Sequence, residues 1–300
     1  MNKCDAGTTL VAVRFRQILP IPPLQAIVEC LWTLESDGAP PGEIEPVLPD
    51  GCPELVMQFG DRFERLSTDG TAERQSDLLF AGQLTGQIAL RPMGAVATLG
   101  IRFRPGSAAT ILHMPQSGLV GTTPGVDVLD QKLYRGLSKI KDTAASLDEA
   151  VIAVQRYLCG RLDSHWIDPR VLAAVAFVQR RGGQIAIELL ARHVGTTRRH
   201  LERRFDSLVG ISPKRLARIV RFQRALRMLN ARPERPDPRS TRPERPGLPS
   251  GVRAAIECGY ADQPHFIRDF TELAGCAPGE HLVRHAQLSG FFTRADAQYD

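Results

Sequence analysis

The sequence predicts an α+β protein, a β-rich front half followed by an all-α back half. Three observations carry this. Short β-branched and apolar runs between Pro and Gly turn signals fill the chain up to residue 125. From Leu129 onward, apolar residues recur at helical spacing. Within the back half, "HVGTTRRHLERRF" (193–205) and "CGYADQPHFIRDF" (258–270) follow one pattern, so a helical unit is written twice. At 300 residues, 43% hydrophobic and 24% charged, the chain has the length and composition of two ordinary globular domains.

In the front half, "ELVMQF" (54–59) and "AVATLGIRF" (95–103) read as strands. Pro-Asp-Gly-Cys-Pro at 49–53 and Arg-Pro-Gly at 104–106 bound them. The spacing fits a small antiparallel barrel or sandwich over 1–128. Asp50-Gly51 reads as a turn, and Arg102 and Arg104 as surface charges at a strand end. Residues 129–164 form a helical connector, with Leu147, Val151, Val154 and Leu158 on one face.

The back half begins with a helix that Asp168 caps and Pro169 opens. Val171, Leu172, Val175 and Val178 make its apolar stripe, and Gly182-Gly183 ends it. A short helix over 184–193, a turn through Gly195, and a helix capped by Thr196 or Thr197 complete a first unit over 168–213. Residues 214–230 read as a long amphipathic helix. It stops at a Pro/Arg-rich insert over 231–251, where "RPERP" occurs twice and the proline density favours extended chain, a linker. The second unit spans 252–286 and a tail 287–300.

Charge is unevenly placed. Residues 1–150 hold 13 Lys and Arg against 18 Asp and Glu, and residues 151–300 hold 25 against 15. In the basic half Lys214 is the single lysine. Arginine offers a rigid fork of donors that matches phosphate and the guanine edge, which a lysine cannot do. No apolar run approaches the ~20 residues of a membrane helix. The N-terminal stretch has no secretory pattern, so a cytoplasmic protein is expected. The six cysteines are scattered with no C-x-x-C pair, which suits neither a disulfide framework nor a zinc site. His113 is the single histidine before residue 150, too few for a His-clustered metal enzyme. There is also no Gly-x-Ser-x-Gly, P-loop or dinucleotide fingerprint. No enzymatic activity and no cofactor is expected.

Aligned at an offset of 65, His200 meets His265, Arg203 meets Arg268, Phe205 meets Phe270, Gly210 meets Gly275 and Pro213 meets Pro278. Upstream of the turn the offset is 64, pairing Ala191 with Ala255 and Gly195 with Gly259, so the second turn has gained one residue. The pattern is a helix-turn-helix built twice. Leu201, Phe205 and Leu208, and their counterparts Phe266, Phe270 and Leu273, form the buried stripes. The outer faces offer Arg198, Arg199, Glu202 and Arg203 on the first unit, and Asp262, Gln263, Pro264 and Arg268 on the second. With Thr197, these are the candidate DNA-contacting residues, because in this geometry the start of the second helix reaches base edges in the major groove. His200 and His265 read as histidines satisfied beside the core.

The segments "LLARHVGTTRRHLERRFDSLVGISP" (189–213) and "AAIECGYADQPHFIRDFTELAGCAP" (254–278), with the long helix between them, resemble the AraC family of bacterial transcription regulators. The resemblance covers about 165–285, within a DNA-binding domain expected over 165–290. It implies two helix-turn-helix subdomains joined by a rigid helix, with double-stranded promoter DNA and RNA polymerase as partners. The long insert 231–251 departs from the short connection usual in that family. "EPVLPDGCPELVMQFG" (45–60), "FAGQLTG" (80–86) and "LGIRFRPGSAATIL" (99–112) are similar to the cupin-like sensor domains found ahead of such regions. That similarity implies a small-molecule effector or a homodimer, without naming effector residues. The competing readings are a protein that binds DNA without sequence preference and a cupin-type enzyme.

Overall fold

Alternation along the strands builds the front half in two layers. The computed structural model describes residues 13–36, 44–67, 70–230 and 255–285. Strands β1 (Val13–Ile18), β2 (Val28–Ser36), β4 (Glu54–Gln58), β7 (Leu78–Ala81) and β9 (Val96–Phe103) form one sheet in the order β1-β2-β9-β4-β7. Strands β3 (Glu45–Val47), β5 (Phe63–Leu66), β6 (Ala72–Arg74) and β8 (Ile88–Pro92) form the other, in the order β3-β8-β5-β6. Every strand pairing in both sheets is antiparallel. The sheets are open rather than closed into a barrel. Together with the helical back half they give the α+β class that the sequence predicts.

The first sheet is buried on both faces. Leu31, Leu55, Met57, Leu99, Ile101 and Phe103 point to one side, into a core shared with helices. Trp32, Leu34, Val56 and Val96 point to the other, where Phe63 and Leu90 of the second sheet meet them. Period-two alternation assigns the two sets, because successive side chains leave opposite faces of a strand. Gly100 lies opposite Trp32 in the register, and a Cβ there would stand 2.0 Å from the indole. The missing side chain is what lets the ring lie across β9.

Arg102 departs from its reading as a surface charge. It sits on the face of β9 that looks at the second sheet, and its side chain is only 19% exposed. It is paired with Asp50 and, at 2.8 Å, with Glu54. Period two explains this, since Arg102 shares the parity of Val96 and Thr98. Arg104 does stay at the surface, in an ion pair with Glu29 at 2.5 Å.

Two short helices, α1 (Ala109–Leu112) and α2 (Val126–Leu129), lead to α3 (Gln131–Thr143) and α4 (Leu147–Cys159). Leu133, Leu137, Val151, Val154 and Leu158 pack in the same core as Leu31, Leu99 and Ile101. The single helical pattern read over 129–158 is broken at Ala144–Ser146, where Ser146 caps α4. Its hydroxyl accepts from the Glu149 amide at 3.2 Å, and the Glu149 carboxylate accepts from the Ala145 amide at 2.9 Å. His113 ends α1 in the left-handed region (φ 54°), and its ring Nε2 lies 2.9 Å from the Arg161 carbonyl.

The back half contains α5 (Pro169–Arg180), α6 (Ile187–His193), α7 (Arg198–Leu208), α8 (Pro213–Asn230), α9 (Gln263–Ala274) and α10 (Pro278–His285). Asp168 caps α5, accepting from the Arg170 amide at 2.9 Å, and Gly182 and Gly183 end it with φ of 57° and 77°. The helix read over 184–193 begins only at Ile187, because Ala186 is extended (ψ 135°). The insert 231–251 and the tail 287–300 lie outside the described residues.

One core holds the helices together, with Val175, Leu201, Phe205, Ile219, Phe222, Phe266 and Phe270 among its members. Leu48 and Ala109 of the front half enter the same core. Gln223 of α8 donates to the Pro49 carbonyl at 2.7 Å, and the Gln116 amide donates to the Ser207 carbonyl at 2.8 Å. The front half thus grips both α8 and the end of α7.

Arg204 reaches from α7 to Asp168 at 2.8 Å, so this carboxylate caps one helix and anchors another. Burial raises its pKa, but the hydrogen bonds from Arg204 and the Arg170 amide outweigh that and hold it below the usual carboxylate range. A depressed folded-state pKa means stability that is present above about pH 4 and lost as the pH falls through the folded value. Asp168→Ala is expected to cost about 1–2 kcal/mol at neutral pH in urea unfolding. The deficit should shrink as the acid limb is descended, and an equal deficit at every pH would show that the charge contributes nothing.

Candidate nucleic-acid interface

The two helix-turn-helix units share their turn geometry bond for bond. In the first, the Gly195 amide donates to the Arg192 carbonyl at 3.1 Å and the Thr196 amide to the Ala191 carbonyl at 3.0 Å. In the second, Gly259 donates to Ile256 at 3.1 Å and Tyr260 to Ala255 at 3.0 Å. Gly195 and Gly259 hold φ of 66° and 71°, the left-handed region that a side chain disfavours. After the turn the correspondence moves on by one residue. Thr197 caps α7 by accepting from the His200 amide at 3.2 Å, and Asp262 caps α9 by accepting from the His265 amide at 2.7 Å. The extra residue, Ala261, therefore lies between the turn and the cap. Gly210 and Gly275 end the two helices with φ of 87° and 72°.

The buried stripes fall where the spacing puts them. Leu201, Phe205 and Leu208 face the core from α7, and Phe266, Phe270 and Leu273 from α9. On α7 the exposed face carries Arg199 and Arg203. Arg199 has no hydrogen bond or ion pair among the described residues, and Arg203 has its Nη2 3.1 Å from His200 Nδ1. Arg198 is held otherwise, by Glu188 at 2.5 Å and Glu202 at 2.8 Å. Both Arg198 and Glu202 are thus engaged with each other on the flank of the helix.

On α9, Gln263, Pro264 and Arg268 are exposed, and neither Gln263 nor Arg268 has a hydrogen-bond partner among the described residues. The Asp262 carboxylate is occupied by its capping bond. His200 is half-buried, and His265 stands edge-on to Tyr260 with centroids 5.3 Å apart. Sequence reasoning passed over Arg170 and Arg192. Both are exposed, and with Thr196, Thr197 and His200 they line a shallow groove at the first turn. The signal was available in principle, since Arg170 is the second residue of a capped helix and Arg192 lies in the last turn of the short helix before Gly195.

Ion pairs of opposite polarity dock the two second helices. Arg204 of α7 meets Asp168 of α5, while Asp269, its counterpart on α9, is 5% exposed and meets Arg218 of α8 at 2.5 Å. Arg218 also binds Glu272 at 2.7 Å. Those bonds, first from Glu272 and then from Asp269, raise the guanidinium pKa above its ordinary value against the opposing effect of burial. Phe222 of α8 packs edge-on against Phe270 at 5.1 Å, and Arg221 lies 5.3 Å over the Tyr260 ring. α8 is therefore the shared support of both units.

A family described as a domain of unknown function (DUF6597) matches residues 16–124. No curated protein matches the chain. Among solved structures, ToxT from Vibrio cholerae O395 bound to (E)-4-(8-methylnaphthalen-1-yl)but-3-enoic acid is similar at 8% identity and a TM-score of 0.44, with 90% of this chain and 98% of that one covered. Unsaturated fatty acid bound wild-type ToxT from Vibrio cholerae strain SCE256 is similar at 10% identity and a TM-score of 0.39, over 91% and 94%. The AraC-like transcriptional activator CuxR is similar at 11% identity and a TM-score of 0.33, over 68% and 79%.

Removing the cation from a buried carboxylate costs far more than removing both charges. Arg218→Met is expected to destabilise the protein by about 2 kcal/mol, below the ~3–5 of a fully enclosed pair because Arg218 is partly exposed. Adding Asp269→Leu should restore part of the loss. A double-mutant cycle in urea measures this, and strictly additive losses would show that the pair is not coupled.

Proposed function

We propose that this chain is a sequence-specific DNA-binding transcription regulator of the AraC type, which reads the major groove with two helix-turn-helix units. The observation that carries the reading is the doubled unit itself: one turn geometry made twice, with each second helix presenting an exposed arginine that has no partner among the described residues, Arg199 on α7 and Arg268 on α9, the latter beside Gln263. Arg199 and Arg203 are the guanine-reading candidates on α7, because a guanidinium matches O6 and N7 bidentately. Gln263 on α9 suits adenine, with Arg268 beside a phosphate or a second guanine. Arg170 and Arg192 border the groove at the first turn and supply phosphate contacts. Thr197 and Asp262 set the starts of the helices through their caps, and Arg198 and Glu202 brace the flank of α7. Pro264 fixes the first turn of α9.

The front half is read as the regulatory domain. Its loop at 48–51 touches α8 through Leu48, the Pro49 carbonyl and Gly51, whose Cβ position lies 3.0 Å from Leu216. A shift of that loop reaches the helix that supports both DNA-reading units. Promoter DNA is the principal partner. RNA polymerase, a second copy of the chain and a small-molecule effector are the further partners that the family resemblance implies.

The experiment is fluorescence anisotropy with a selected duplex and a scrambled one, across a salt series. Arg199→Ala and Arg203→Ala are each expected to weaken specific binding by about 1–3 kcal/mol. Arg198→Ala, already satisfied within the protein, should cost less than about 1 kcal/mol. If the Arg199 and Arg203 variants reduce only the salt slope and leave the preference between duplexes unchanged, binding is to the backbone and the protein does not read sequence.

A further inference from the structure

A cavity of about 100 Å³ lies between the two sheets of the front half. Trp32, Leu34, Val56, Phe63 and Leu90 give it apolar walls. One end is polar, where Asp50, Glu54 and Arg102 meet. Arg102 donates to Glu54 through Nη1 at 2.8 Å and to Asp50 through Nη2, so one cation serves two carboxylates and one negative charge is left over. Burial pushes the Glu54 carboxyl up to about 7 even though the Trp32 side chain hydrogen-bonds to it and pulls the other way. The protein leaves that charge incompletely compensated.

A second observation is independent of the acidic pair. Thr98 lines the same cavity from β9, is 2% exposed, and has no hydrogen-bond partner for its hydroxyl. A buried hydroxyl is ordinarily satisfied, and one left open inside a cavity marks a place for a ligand atom or a water. Thr98 lies four residues along β9 from Arg102, so the hydroxyl and the acidic cluster stand toward opposite ends of the space.

We propose that this cavity binds a short, unbranched primary amine of about four to six heavy atoms, its ammonium donating to Glu54 and Asp50 beside Arg102 and its chain lying against Trp32, Leu34 and Val56. The ammonium brings two cations against two carboxylates. A hydroxyl at the far end of the chain bonds Thr98. The loop that supplies Asp50 is the one held by Gln223 and Leu216 of α8, so the amine sits against the contact between the two halves. This inference deepens the regulatory reading, and its consequence for DNA rests on that reading. The binding itself does not.

The test is calorimetric titration of the full-length chain, without DNA, with n-butylamine, 4-amino-1-butanol and butyrate. Both amines are expected to bind with one-to-one stoichiometry, the amino alcohol more tightly, and butyrate not at all. Glu54→Gln, which keeps the shape of the side chain, should weaken both amines about tenfold or more. Thr98→Val should abolish the advantage of the amino alcohol and leave n-butylamine unchanged. Thermal melts of each variant establish that it is folded before it is titrated. No heat from either amine at millimolar concentration, tighter binding of butyrate, or an unaltered affinity in folded Glu54→Gln overturns the proposal. Failure of the protein to read DNA leaves these titrations unchanged, so the two readings fail separately.

Discussion

A carboxylate inside a helical core is tolerable only beside its cation, and the arrangement of the back half follows from one such pair. Asp269 is buried on the inward face of α9, and Arg218 on α8 is its counter-ion. The pair fixes which way α9 turns, because rotating the helix would strand the charge in apolar surroundings. With Asp269 inward, Phe266 and Phe270 are carried into the core against Phe222, and Gln263 and Arg268 are carried outward. The first unit reaches the same end with the polarity reversed, since Arg204 on α7 is tied to Asp168 at the start of α5. Each DNA-facing surface in the proposed function is thus the far side of a helix whose near side is pinned by charge and packed by aromatic rings.

α8 is where the parts of the molecule converge. Leu216, Ile219 and Phe222 are buried in the common core, Arg218 and Arg221 reach the second unit, and Gln223 reaches the front half. Gly51 packs against Leu216 of the same helix. Its φ of 86° lies in the region that a side chain disfavours, and the Leu216 methyl stands a tight 3.0 Å from where a Cβ would be. Asp50, the neighbour of Gly51, is bound to Arg102 at the edge of the cavity, so cavity and helix are separated by one peptide unit. Coupling between them needs no long relay, only a small displacement of a loop that already touches both.

Much of this was legible because local chemistry and the global fold agree. Asp168, Pro169 and Gly182-Gly183 mark the ends of α5 by capping rules alone, and the change of offset from 64 to 65 places the extra residue in the second turn. The division into sheet and helix followed from the change of period. What escaped the sequence depends on partners far along the chain. Arg102 read as a surface charge because its carboxylates lie 52 and 48 residues away on other segments. Arg198 was placed on the outer face without its ion-pair partner, because Glu188, on the preceding helix, is a neighbour only once the turn has closed. Asp269 drew no reading at all from spacing, since its cation, Arg218, lies 51 residues away on α8. The break at Ala144–Ser146 is a different kind of miss, since Ser146 and Glu149 form a capping pair that spacing alone discloses.

The central claim is that two similar units on one rigid support read DNA together. Selection of binding sites from a random duplex pool by the full-length chain, at near-physiological salt, tests it most directly. The expected result is a bipartite motif whose half-sites are separated by about one helical turn, 10–10.5 base pairs, because the two units would meet successive major-groove faces. A single short motif, or binding without any sequence enrichment, would contradict it.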